Sequence, residues 1–290
     1  MKSFFQRKSV KICGAILLTL GIAVVMSLLL SAHALSVSRY TITSQDVSEP
    51  IRIIQLTDLH NSEFGKGNRR LIEKIRKLEP DLILLTGDML NQYEESAEVP
   101  VTLIRSLSEI APVYASYGNH ESVHEKTFSS DLRAVFQDAG ATVVERNWVD
   151  VEINNQTLRI GGIYGYCLPG FVYESRSKEN AFLEEFQSTD RVKILLCHMP
   201  VCWILAQSLD YWDIDLVFAG HAHGGQVRIP WVGGLYAPDQ GWFPGWCEGL
   251  FYSKDGEHTL VLSRGLGTSK SNVPRFNNIP EILVLQINPA

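Results

Sequence analysis

Short β-branched apolar runs alternate along this chain with segments whose apolar residues recur every three to four positions. After a polar stretch at Tyr40–Glu49, open to a linker or to a first strand, "IRIIQL" reads as a buried strand running into Thr57-Asp58-Leu59-His60. Leu71, Ile72, Ile75 and Leu78 follow helical spacing, with Asn68 as the cap and Pro80 as the stop. "DLILLTGD" repeats the strand pattern and ends on Gly87-Asp88. Residues 97–110 are predicted helical, "VYASYGNHE" is a third strand with polar residues at its end, and a helix near 129–139 is stopped by Gly140. From Thr142 to Tyr166 polar and apolar residues alternate around Asn154-Asn155, the pattern of an antiparallel hairpin. A helix near 179–187 leads to "VKILLCHMP" and "IDLVFAGHAH", two strands that each end in histidine, and "HTLVLSRGLG" and "PEILVLQI" supply two more. This order predicts an α/β fold, a two-sheet β-sandwich flanked by helices.

Ahead of that domain, Ile12 to Leu30 is apolar except for Thr19 and Ser27, carries no charge, and is near the length that crosses a hydrocarbon core. Lys2, Arg7, Lys8 and Lys11 precede it, and only Arg39 follows closely. The positive-inside rule then places residues 1–11 in the cytoplasm, residues 12–34 across the cell membrane as a single-pass anchor, and the domain at 50–288 outside the cytoplasm. Ala32-His33-Ala34 also fits a small-x-small cleavage site, so a removed signal peptide is the alternative. Cys13 lies in the span; Cys167, Cys197, Cys202 and Cys247 lie in the domain without the CxxC spacing of a zinc site. Cys197, inside an apolar run, reads as a buried thiol.

At 290 residues and 45% hydrophobic, without internal repeats, the chain is long enough to bury one large core. Its formal net charge is −6, and removing the four positive charges of the first 35 residues leaves −10 on the remainder. Duplex DNA demands a basic face, so this balance argues against nucleic acid as the main partner. Nothing in the pattern sets an oligomeric state.

Five strands end in residues that can bind metal: Asp58 and His60, Asp88, Asn119 and His120, His198, and His221 with His223. Sites on open α/β sheets form at the carboxyl ends of strands, so these ends can converge on one cleft. Carboxylate, imidazole and amide oxygen together suit Zn, Fe or Mn better than the all-oxygen shells of Ca and Mg. Two ions can share this set only if one carboxylate bridges them, and Asp88, alone on its strand end, is the natural bridge. Ions about 3.5–4 Å apart clamp a phosphoryl group and supply a hydroxide that attacks phosphorus in line with the leaving oxygen. His120, one residue out of phase with Asn119, is then free to donate a proton to the leaving group.

The series Asp58-Leu-His60, Gly87-Asp88, Gly118-Asn119-His120-Glu121, His198 and Gly220-His221-Ala-His223 resembles the calcineurin-like metallophosphoesterase superfamily over roughly residues 50–287. "GHAHGGQVRIP" and "SRGLGTS…VPRFNNIPEI" resemble its membrane-associated bacterial branch, which includes YkuE-type phosphoesterases and UDP-2,3-diacylglucosamine hydrolases. The resemblance implies a four-layer sandwich and two divalent ions. It gives one ion Asp58, His60, Asp88 and His223, and the other Asp88, Asn119, His198 and His221. It also makes His120 the general acid, with Glu121 positioned to orient it. No motif residue is missing.

Two further features bear on the substrate. Trp231, Trp242, Phe243 and Trp246 lie in a Gly/Pro-rich stretch that reads either as an aromatic lip for a membrane interface, acyl chain or base, or as packing over a sheet edge. Arg264 and Arg275 flank Gly265-Leu-Gly267, placed either to hold a second phosphate or as solvated surface residues. The expected function is hydrolysis of a phosphate ester or pyrophosphate on an envelope lipid or nucleotide-like molecule. The alternatives are a non-catalytic, metal-stapled envelope protein, which has no need of the spare His120, and a metal-dependent nuclease, which the acidic charge disfavours.

Overall fold

The computed structural model describes residues 2–165, 177–205, 207–268 and 273–290. Tyr166, the last residue of the expected hairpin, and Cys167 lie outside the described residues. The first apolar run forms helix α1 (Lys2–His33), of which Lys11–His33 is long and apolar enough to cross a membrane. Its side chains from Ile12 to Leu30 stand exposed apart from Ser27.

Strand β1 (Ser36–Ser44) follows almost at once, then β2 (Ile51–Leu56), α2 (Arg69–Arg76), β3 (Leu82–Thr86), α3 (Glu98–Ser108), β4 (Val113–Ser116), α4 (Asn119–Phe128), α5 (Leu132–Asp138) and β5 (Ala141–Val143). They build one sheet in the order β1, the last strand of the chain, β2, β3, β4, β5. The second sheet begins with the hairpin β6 (Asn147–Ile153) and β7 (Gln156–Ile163). Asn154 and Asn155 both take positive φ at its turn, as the twist of a two-residue hairpin requires. After α6 (Ser177–Gln187), β8 (Val192–Cys197), α7 (Val201–Ile204) and β9 (Leu216–Ala219) come four two-residue strands: β10 (Arg228–Ile229), β11 (Gly233–Gly234), β12 (Tyr236–Ala237) and β13 (Gly241–Trp242). These pair as two small hairpins. The chain closes with β14 (Gly249–Tyr252), β15 (Thr259–Leu262) and β16 (Glu281–Pro289); the second sheet runs β14, β15, β9, β8, β7, β6.

The continuous apolar runs are explained by burial on both faces, as in parallel sheets covered on two sides. Ile53, Leu82 and Leu84 face Ile194, Leu196, Phe218 and Val261 across the sandwich. Their neighbours Ile54, Ile83 and Leu85 point outward onto Leu71, Ile75, Leu103, Leu107 and Phe136 of the first helical layer. On the far side Leu195, Val217 and Leu262 pack on Phe182, Phe186, Trp203 and Trp212. Helix, sheet, sheet, helix is the expected four-layer architecture. Each fully buried large side chain in these layers contributes about 1.5–3 kcal/mol of transfer free energy, which holds the strand ends in one frame.

Three local expectations are corrected. The fold starts before residue 50, because β1 pairs in parallel with β16 along its whole length. Asn68 does not cap α2 with its side chain; it sits at φ 60° and its Oδ1 accepts the Phe64 N–H (2.9 Å). The third strand stops at Ser116, and Asn119-His120-Glu121 form the first turn of α4. Polar His120, Glu121 and His124 fill the buried face of α4, so no apolar stripe marks it in the sequence.

Candidate metal centre

The strand ends meet through strained backbone. Asp58 (φ 52°), His60 (47°), Asp88 (53°), His221 (67°) and His223 (48°) all adopt left-handed conformations, each at a cost of about 1–3 kcal/mol that the surrounding fold must sustain. Main-chain bonds lock the loops together: Asp58 N–H donates to Gly87 O and His60 N–H to Asp88 O, both at 3.0 Å, and Gly220 N–H donates to His198 O at 3.0 Å. The approach is close enough to demand glycine at two points. A Cβ on Gly118 would lie 2.2 Å from Asp88 Oδ1, and one on Gly220 would lie 2.1 Å from Thr57 Oγ1.

Around the buried Asp88 carboxylate, Oδ2 lies 3.2 Å from His198 Nε2, 3.8 Å from His60 Nε2 and 3.9 Å from His120 Nε2. Asp58 Oδ1 lies 3.5 Å from His223 Nε2 and 3.9 Å from both His60 Nε2 and His198 Nε2. The His221 N–H donates to the Asp58 carboxylate at 3.1 Å. His198 Nδ1 is 2.8 Å from Thr86 O, so that nitrogen carries a proton and Nε2 faces inward, the usual backbone support of a metal-binding imidazole. The Gln92 N–H donates to His120 Nδ1 (3.0 Å), so the neutral His120 ring carries its proton on Nε2, toward Asp88.

Electrostatics sharpens the picture. Burial drives the His60 pKa down to about 3. Burial, with His60 and Arg275 beside it, drives His223 well below its ordinary range. Burial likewise lowers His120. Burial opposes charge on His198 too, but the Asp88 carboxylate overrides it and holds that ring up at about 10. Asp58 is pushed up by burial, whereas Asp88, despite burial, is held well below the carboxylate range by His198, His60 and His120. Two carboxylates enclosed with the neutral imidazoles of His60, His120 and His223 are what a buried cation needs.

The donors fit such ions. Asp58, His60 and His223 bring ligand atoms within 4.8 Å of one another, as do Asp88, His198 and His221, and His60, Asp88 and His120. Asn119 Oδ1 and His60 Nδ1 are buried without a hydrogen-bond partner. Residues 51–225, more than half the chain, match the family model described as calcineurin-like phosphoesterase. The chain belongs to the calcineurin-like phosphoesterase family. Its members are dinuclear-metal-dependent, and the chain is accordingly a hydrolase of phosphoester bonds. It is 26% identical to the uncharacterized metallophosphoesterase YkuE of Bacillus subtilis over 89% of this chain and 87% of that one. It is 27% identical to the phosphodiesterase YaeI of Escherichia coli over 84% of each. It is 23% identical to the UDP-2,3-diacylglucosamine pyrophosphatase LpxG of Chlamydia muridarum over 81% of this chain and 83% of that one.

Within this calcineurin-like site the motif residues converge, but two supporting roles differ from expectation. Glu121 does not reach His120. Its carboxylate accepts the N–H groups of Gly118 and Asp88 (both 2.8 Å) and Met89 (2.7 Å), tying the Asp88 loop to the start of α4. Burial, reinforced by Asp88, raises its pKa to about 7. Arg264 is committed elsewhere: its guanidinium pairs with Glu248 (2.9 Å) and Glu281 (3.2 Å) and bonds Ser36 Oγ. Arg275 does reach the centre, with Nη2 at 3.4 Å from His223 Nδ1 and Nη1 buried without a partner.

Sequence reasoning missed Asp239, on the turn between β12 and β13, whose Oδ2 lies 3.1 Å from His221 Nε2 and leaves Nδ1 of that ring for a metal. Its setting in "APDQG" reads only as a turn. Cys197 is a buried thiol, as expected, and its sulfur accepts the Trp203 indole N–H (3.1 Å), whereas Cys202 is disulfide-bonded.

Proposed function

We propose that this chain is a membrane-anchored phosphoesterase in which Asp58, His60, Asp88 and His223 hold one divalent ion and Asp88, Asn119, His198 and His221 hold the other. Its substrate is a phosphate ester or pyrophosphate on an envelope lipid or nucleotide-like molecule. The observation that carries this reading is the ring of imidazoles about Asp88, with His198, His60 and His120 all within 3.9 Å of one carboxylate oxygen. When bound, two ions of Mn, Fe or Zn polarise the phosphoryl oxygens and make a water acidic enough to serve as nucleophile. Asp88 spans the two sets of donors, and Glu121 keeps it in register through the main chain. His120, held by Gln92, presents Nε2–H to the departing oxygen and stabilises the charge that grows there. Arg275 Nη1 is the donor available for a non-bridging phosphate oxygen.

A lipid-linked substrate is supported by the α1 span and by the similarity to LpxG, a UDP-2,3-diacylglucosamine pyrophosphatase. An extracytoplasmic domain is supported by the four basic residues before the span and by the Cys202 disulfide, a bond that persists in oxidising compartments. The test is hydrolysis by purified, Mn-loaded protein of a panel holding an aryl phosphodiester, a phosphomonoester and a lipid-linked pyrophosphate, alongside elemental analysis. Turnover with two metals per chain is expected; metal-loaded protein inert on the whole panel overturns the reading. External protease on intact cells should remove the domain and leave a small membrane fragment. Protection until lysis reverses the topology, and release of a soluble species starting near Leu35 identifies a signal peptide instead.

A further inference from the structure

Helix α1 is not a free tether. Its last turns are bonded to the domain: the Asn277 N–H donates to Ser27 Oγ (2.9 Å) and the Asn278 N–H to Ser31 Oγ (3.0 Å), and Ser31 is buried. Lys74 Nζ donates to Leu35 O (2.6 Å) just past the helix end. The same Asn278 grips the metal-site turn, its Nδ2 donating to His223 O (2.7 Å) and Gln226 O (3.1 Å). Asn277 Nδ2 donates to Arg228 O (3.2 Å), the first residue of the β10–β11 hairpin. A continuous set of hydrogen bonds therefore joins the apolar helix, the metal-site turn and that hairpin.

This fixes where a bilayer would lie. A hydrocarbon core of about 30 Å takes about 20 helical residues, so a core entered at Ile12 ends near Ser31. The segment bonded to Ser27 and Ser31 then sits at the bilayer boundary. Beside it the chain exposes large apolar side chains: Ile229, Trp231 and Val232 on the first hairpin, Trp242 and Phe243 at the end of the second, and Val273 three residues before Phe276. Trp231 is fully exposed at 103%, and Val232, Trp242, Phe243 and Val273 are each at least 60% exposed. So large an apolar set in water marks an interaction surface, and tryptophan favours the membrane interface. With −10 outside the first 35 residues, the attraction is apolar rather than basic.

We infer that this face rests in the interfacial layer of the membrane that holds α1, so that the metal centre opens beside the lipid headgroups. The occupant is the bilayer itself. Asp239, between β12 and β13, bonds His221, so the aromatic hairpins and the metal centre share a wall. The inference rests on the anchored reading of α1 and narrows the substrate to a phosphoester presented at a lipid surface.

The test uses the full chain with Cys13→Ala, reconstituted into phosphatidylcholine vesicles. A bimane label at Trp231→Cys is compared with one at Tyr211→Cys, an exposed site remote from α1. Quenching of the 231 label by brominated acyl chains, with shielding from aqueous iodide, is expected, and the reverse at 211. Equal iodide access at both sites, in protein that survives an alkaline wash of the vesicles, overturns the inference and leaves the anchor standing. Loss of the protein in that wash overturns both. Shielding found in native membranes but not in lipid-only vesicles assigns the face to a protein partner and also overturns it. In the same vesicles, joint Trp231→Glu and Val232→Glu substitution should lower hydrolysis of a lipid-borne phosphodiester by about tenfold, the equivalent of about 1.4 kcal/mol, and leave a soluble aryl phosphodiester unaffected. Unchanged hydrolysis of the lipid-borne substrate overturns the interfacial role, whereas protein inert on both substrates before substitution fails on the hydrolase assignment while the quenching result stands.

Discussion

The two ends of the sandwich use the same kinds of residue to opposite effect. At the end where β2, β3, β8 and β9 finish, Asp58 and Asp88 face imidazoles on left-handed backbone, with buried donor atoms left unpartnered. At the end where β8, β9 and β15 begin, a cavity of about 990 Å³ is lined by Lys193, Asp213, Asp215 and His258. These four residues pair with one another. Lys193 Nζ lies 2.8 Å from Asp213 and 3.9 Å from Asp215, and Asp213 lies 3.5 Å from His258. None of those four residues has a positive φ. Paired charges on unstrained backbone serve as a structural joint. Crowded ligand atoms on strained loops, Asn119 Oδ1 and His60 Nδ1 among them without a protein partner, mark the place where something else must bind.

Substitutions at the two ends can break that contrast. The largest effect belongs to Asp88→Asn, because one carboxylate serves both sets of donors. Elemental analysis should find both metals weakened, and turnover should fall by several orders of magnitude. Two tightly held metals with near-normal turnover would remove Asp88 from the bridging position. His120→Asn should keep its metals and slow hydrolysis by about 10²- to 10⁴-fold for alkoxide leaving groups. The loss should be far smaller for p-nitrophenolate, which departs without help. Equal losses on both, together with lost metal, would make His120 a ligand, a role its place beside His60 and Asp88 allows.

Asp239→Asn tests the wall shared with the aromatic hairpins. Outer partners of metal-binding histidines are worth about 10- to 100-fold in metal affinity, and one ion of the pair should weaken by that amount in a competition titration with a chelator. An unchanged affinity would reduce the Asp239–His221 contact to packing. The smallest effect is expected at the other end. Asp213→Asn removes a partner that is itself well exposed (64%), so it should cost at most about 1 kcal/mol. Thermal unfolding should register that shift while kcat and metal content stay at wild-type values. A loss of activity there would mean that the paired cleft is functional after all.

The motif residues were legible because each follows an apolar strand, and a strand exposes its chemistry at its end. The helix that carries Asn119, His120 and Glu121 was not legible, since its buried face is polar and serves the site rather than a core. Glu121 was read by proximity to His120, but it sits on the first turn of a helix, where a carboxylate captures main-chain N–H groups. Arg264 and Arg275 look equivalent around Gly265-Leu-Gly267. Only the position of Glu248 and Glu281 in the fold separates the committed guanidinium from the available one.

By itself the sequence determined the layer architecture, the apolar N-terminal helix and the Asp, Asn and His side chains gathered at the strand ends. These depend on local periodicity and on which side chains end each strand, information carried within a few consecutive positions. Tertiary structure alone decided that Asp239 contacts His221, that Gln92 sets the His120 tautomer, and that α1 is bonded to the His223 turn through Asn278 and to the β10–β11 hairpin through Asn277. Those contacts join residues far apart in the chain, or depend on a main-chain N–H whose direction has no signature in residue identity. Only the packing of the two sheets and their loops brings them within hydrogen-bonding distance.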